Sequence, residues 1–85
     1  METTPGYYGL SSKIQLRELD NNCIGIYKVI KSRIIQKDAL KIIDIATQIK
    51  SVDPALEVTL ICNRNICSKS IALLEREGVN LKIVD

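Results

Sequence analysis

The chain has 85 residues, 46% hydrophobic and 26% charged, with a formal net charge of +2 and no His, Phe or Trp. These numbers describe one globular domain with a modest core. They exclude a disordered chain, and the missing His removes the usual general base at neutral pH. Fourteen residues are isoleucine, so the core is expected to be β-branched and aliphatic, which suits strands.

Residues 1–12, METTPGYYGLSS, mix Thr, Pro, Gly, Ser and two tyrosines and read as a flexible N-terminal arm. They lack the basic start and apolar run of a signal peptide. Residues 13–85 then make a single domain. KIQLREL alternates Ile14 and Leu16 with Gln15 and Arg17, the period of a half-buried strand. Asp20, Asn21 and Asn22 tolerate positive φ and predict a tight hairpin turn. The second strand is predicted over residues 23–31. It has Ile24, Ile26, Lys28 and Ile30 on one face, and Gly25, Tyr27, Val29 and Lys31 on the other. Both faces are largely apolar, so this strand reads as central and covered on both sides.

Ile35, Ala39, Ile42, Ile43, Ala46 and Ile49 then form one stripe of a helix, which Pro54 terminates. Residues 57–63 are short, apolar and β-branched, as in a buried parallel strand. Ser68 is the expected N-cap of a second helix running to Glu77. Gly78 takes the left-handed position after it, with Val79 folding back on Leu74. NLKIVD closes the chain as a strand with Leu81 and Ile83 inward. The prediction is an α/β fold in the order ββαβαβ, a four-stranded mixed sheet with two helices. Its first strand pair is antiparallel, and its two helical crossovers are right-handed. If both helices fall on one face, Tyr27 and Val29 are left exposed on the other, a reason to form a homodimer.

The chemistry is sparse. No stretch approaches the roughly 18 apolar residues of a membrane span, so a cytoplasmic protein with Cys23, Cys62 and Cys67 reduced is expected. With no His and no second cysteine pair, zinc would lack ligands, and neither a metal nor a cofactor is expected. Cys67, close to a helix start and beside Arg64 and Lys69, invites a lowered pKa but has no base partner for nucleophilic catalysis. Charge is more informative. Lys28, Lys31, Arg33, Lys37 and Lys41 face only Asp38 across residues 28–41, a local excess of four positive charges. Such a patch, extended by Arg64, suits DNA or RNA. In NRNICSKS, Arg64, Ser68, Lys69 and Ser70 are candidates for holding an anion at a helix start.

GIYKVIKSRIIQKDALKII followed by LEVTLICNRNICSKSIALLEREGVNLKIVD resembles the second half of the restriction-endonuclease-like fold, nearest to Mrr-type nucleases and archaeal Holliday-junction resolvases. The resemblance spans residues 13–85 and rests on pattern and order. In that family an Asp and the Glu of a strand-ending Glu-x-Lys hold Mg²⁺, and the Lys serves the attacking water. Lys31 matches that lysine, but Val29 stands where the acid belongs. Arg17 falls where the upstream Asp is expected, with Glu18 and Asp20 reachable only by a shift of register. The family's leading helix is absent. The resemblance therefore implies a catalytically inactive relative with no catalytic residue and no metal site, associated with nucleic acid.

Overall fold

The structure is a computed structural model and describes residues 2–84. A short 3-10 turn over Pro5–Tyr8 precedes β1 (Gln15–Asp20) and β2 (Cys23–Tyr27). Then come α1 (Gln36–Val52), β3 (Glu57–Cys62), α2 (Ser68–Arg76) and β4 (Asn80–Ile83). The four strands lie in the order β1-β2-β3-β4; β1 runs antiparallel to β2, and the other two pairings are parallel. This is the expected mixed sheet with two helices.

The hairpin closes through Asn21 and Asn22, with Asn22 in the left-handed region at φ 64° and a register irregularity between Glu18 and Asp20. Both crossovers move the chain the same way across the sheet. Two right-handed crossovers of that kind put both helices on one face. The core agrees, since one cluster joins Ala39, Ile42, Ala46 and Ile49 of α1 with Leu74 of α2. The same cluster takes Leu16, Ile24, Ile26, Val58, Leu60 and Cys62 from the sheet, all on one side by register.

The second sheet face carries no helix. It carries Arg17, Leu19, Tyr27 and Thr59 around Ile61, which lies across Gly25 and is only 5% exposed. Arg17 covers the Tyr27 ring with its guanidinium carbon 4.7 Å from the centroid. Thus β2 is central and buried as expected, but on this side by its neighbours' side chains and not by a second layer.

Several local expectations are corrected. Strand β2 ends at Tyr27 instead of Lys31: Tyr27 is the last residue paired to β1, opposite Gln15, so the chain beyond it lacks one neighbour. Lys28 gives one more bond, its N–H donating to the Ile61 carbonyl at 2.8 Å, before the chain leaves the sheet. The segment expected to be a flexible arm instead places Tyr8 in the core, and Gln48 Nε2 donates to the Tyr8 carbonyl at 2.8 Å. Cys67, not Ser68, is the cap of α2. Its own N–H donates to the Ile34 carbonyl, which holds it extended, and its sulfur accepts from the Ser70 N–H. Ile35 caps α1 and is half-exposed, outside the buried stripe. Gly78 has φ 77°, and the Val79 N–H donates to the Leu74 carbonyl at 2.9 Å, as the helix stop requires. Ile83 shares the core-facing side with Cys62 by register, yet β4 is an edge strand and leaves it 47% exposed.

Candidate nucleic-acid interface

Parallel strands joined by helices place every strand-to-helix loop at one end of the sheet. Here those loops are residues 28–35 and 63–67, and they are bonded to each other. Asn63 Nδ2 donates to the Ile30 carbonyl at 2.6 Å and Asn65 Nδ2 to the Lys31 carbonyl at 3.4 Å. The Ile34 N–H donates to the Asn65 carbonyl at 2.9 Å, and Ile34 and Ile66 make a parallel bridge. Asn63 also turns its own loop, accepting from the Asn65 N–H at 3.1 Å. The two asparagines were not singled out from sequence. The legible signal was the Asn-x-Asn spacing, which suits a side chain accepting from the backbone two residues on.

This end collects the cations. Lys31, Arg33, Lys37, Lys41, Arg64 and Lys69 are exposed there and Lys28 is half-buried. Lys13 joins them from the start of antiparallel β1, which pairs with the end of β2. Among the described residues one carboxylate, Asp38, stands against these eight cations, a local excess of seven. The opposite end holds, among the described residues, Glu18, Asp20, Asp53, Glu57, Glu75 and Glu77 against Lys50 and Arg76, a local excess of four negative charges. A net charge of +2 therefore conceals a strongly dipolar molecule.

Helix direction adds to the asymmetry. Both helices begin at the basic end, where unpaired N–H groups carry partial positive charge and acidic residues are favoured. The first turn of α1 has Asp38 alone, whose carboxylate accepts from the Ile35 N–H at 3.1 Å, and α2 has no acid in its first turn. The sequence thus places cations where helix stability alone favours anions.

The proposed anion cluster in NRNICSKS divides. Arg64, Ser68 and Lys69 are exposed, but Ser70 is fully buried. Its hydroxyl lies 2.9 Å from Cys67 Sγ and 3.5 Å from the Ile34 carbonyl, so it braces the two loops and is closed to a solvent anion. The Ser70 hydroxyl and N–H hold the Cys67 thiol below its ordinary pKa, with Arg33 adding a smaller effect. Cys62, by contrast, is pushed up by burial. Among the described residues no three His, Cys, Asp or Glu side chains converge on a point that would hold a metal. No helix among them is long and apolar enough to cross a membrane.

A second feature flanks the basic end. Between β1 and α1 runs a groove of about 450 Å³ floored by isoleucines and edged by Lys13, Lys28 and Lys41.

No family model matches the chain, and no match was found among curated proteins or solved structures.

Proposed function

We propose that this domain is a non-catalytic, nuclease-like module that associates with nucleic acid through the end bearing Lys28, Lys31, Arg33, Lys37, Lys41 and Arg64. The observation that carries the proposal is charge segregation: among the described residues, eight cations and one carboxylate at the end where both helices start. Phosphate backbones are the common polyanions spaced to meet such a surface, and helix starts add N–H donors to the lysines. The nuclease-like part rests on the motif resemblance, with Lys31 kept and Val29 in place of the acid. The strand order brings no crevice of the kind that forms where a parallel sheet reverses direction, so contact with a backbone fits the surface better than capture of a nucleotide. Among the described residues the one aromatic side chain near these cations is Tyr27, whose ring already carries the Arg17 guanidinium, so base stacking is expected to contribute little and the binding to be largely indifferent to sequence.

Fluorescence anisotropy with a labelled duplex and a labelled single strand tests this. Binding should weaken steeply with salt: about five neutralised phosphates give a slope of roughly −4.5 for log K against log salt on duplex DNA. Absence of binding to either at 20–50 mM salt (about the low-salt range where such contacts are strongest) would remove the proposal.

A second reading, self-association through the uncovered sheet face, is favoured by Tyr27, which remains 38% exposed there; Val29, expected on the same face, lies beyond the end of β2 and lines the groove beside α1 instead. Sedimentation equilibrium decides it. A monomer at high micromolar concentration counts against the dimer, and a dimer lost in Tyr27→Glu supports it.

A further inference from the structure

The groove between β1 and α1 has a composition that the nucleic-acid reading does not use. Its floor is Ile14, Ile26, Ile30, Ile42 and Ile45, with Ile26 and Ile42 buried and the other three partly open. The opening exists because β1 is the edge strand and lies beyond the cover of α1, which packs chiefly over β3 and against α2. Val29 and Tyr27 form an apolar lip, each more than a third exposed. Lys13, Lys28 and Lys41 also line it. No Asp or Glu lines the groove, and none of the three lysines has an ion-pair partner among the described residues.

We propose that this groove binds a small amphiphilic anion, an aliphatic chain carrying one carboxylate. The chain lies along the isoleucines and the carboxylate sits among Lys13, Lys28 and Lys41. Charge complementarity selects the head group, since three cations without ion-pair partners border a surface built mainly of isoleucine. Among the described residues, Gln15 is its one uncharged polar side chain apart from the Tyr27 hydroxyl. Size selects the scale: about 450 Å³ falls in the range of small-molecule sites and is too small for a folded partner. Inorganic phosphate would meet the lysines but leave the isoleucines wet. An uncharged alcohol would cover the isoleucines but leave the cations unpaired. Lys28 and Lys41 also belong to the proposed nucleic-acid interface, but the test is read on the chain alone with no nucleic acid present, so failure of either proposal is distinguishable from failure of the other.

Calorimetric titration of the full chain with hexanoate, octanoate and decanoate tests it, with decanol and inorganic phosphate as the comparison ligands and amide chemical shifts reporting location. One site is expected, tightening by about three- to four-fold for each added methylene that is buried. Decanol and phosphate should each bind at least about tenfold more weakly than decanoate, and shifts should centre on residues 13–15, 26–30 and 41–45. Lys28→Glu/Lys41→Glu should weaken decanoate by about tenfold or more while circular dichroism stays unchanged. Lys50→Glu, at the far end, should leave the affinity as it was. Ile45→Trp, which fills the groove, offers a second test should the double variant fold poorly, and should abolish binding. Equal affinity for decanol, no dependence on chain length, or shifts centred elsewhere would overturn the proposal.

Discussion

At Gly25 an added Cβ would lie 2.6 Å from Ile61 Cδ1 and 3.0 Å from Leu19 Cδ1. The backbone there is outside the left-handed region, so the glycine serves close approach and not an unusual turn. It is what lets Ile61 fold flat on a sheet face that has no helix to cover it. Two effects oppose each other in Gly25→Ala. Reduced freedom of the unfolded chain stabilises by about 0.4–1 kcal/mol, and overpacking costs about 1–3 kcal/mol. The net expectation is a loss of about 1 kcal/mol in urea denaturation. Ile61→Val removes the clashing methyl, so the double variant should be less destabilised than the two single losses added together. Strict additivity would show that the contact does not limit this face.

The cysteines make a second residue-scale contrast. Hydrogen bonds from Ser70 depress the Cys67 pKa, and burial raises that of Cys62. The signs oppose. Cys67 contributes stability that is present above the ordinary thiol pKa and lost as pH falls through its lower folded value. Cys62 contributes stability that is present below the ordinary value and lost as pH rises through its folded one. In a pH series of iodoacetamide labelling read by mass spectrometry, Cys67 should react at lower pH than Cys62. Ser70→Ala should move the Cys67 midpoint upward. An unchanged midpoint would mean that Ser70 does not hold the thiolate.

At the scale of elements, the start of α1 sets stability against binding. Asp38 accepts from the Ile35 N–H and, among the described residues, is the one acid at the basic end. Asp38→Ala removes both roles and should cost about 1 kcal/mol of stability. Asp38→Asn keeps a carbonyl acceptor while removing the charge, so it should cost less, and it should tighten nucleic-acid binding by a few-fold at low salt. Weaker binding in Asp38→Asn would show that the carboxylate is not an obstacle to the polyanion.

The elements themselves were largely legible. The stripe of α1, the Asn pair of the hairpin, the Gly78 stop and the β-branched run of β3 are local signals, and the structure follows them. What failed depended on neighbours. The end of β2 is decided by where β1 stops pairing, and the cap of α2 by a backbone bond from Cys67 to Ile34. Tyr8 is buried in the core and its carbonyl accepts from Gln48, 40 residues away, and PGYYGL has no periodicity to announce this.

For the molecule as a whole, the candidate site was legible only in part. The cations of residues 28–41 could be counted along the chain and Arg64 joined to them, but the addition of Lys69 and Lys13 to that patch needed the fold. Ser70 could not be told from an exposed serine before its burial was known. Charge segregation across a body of 29 × 23 × 22 Å makes a prediction that net charge alone does not. Screening in about 0.15 M salt acts over about 8 Å, so the two ends are electrically separate in binding. Lys31→Glu/Arg33→Glu and Glu75→Lys/Glu77→Lys change the net charge by equal and opposite amounts, at the basic and acidic ends respectively. If nucleic acid meets the basic end, the first pair should weaken duplex binding by about tenfold or more at 0.1 M salt and reduce the salt slope by about two. The second pair should alter affinity by less than about twofold, although it makes the protein far more cationic. Anisotropy on both variants separates these outcomes, and a mirror-image gain in the second pair would mean that the polyanion responds to total charge and has no preferred end.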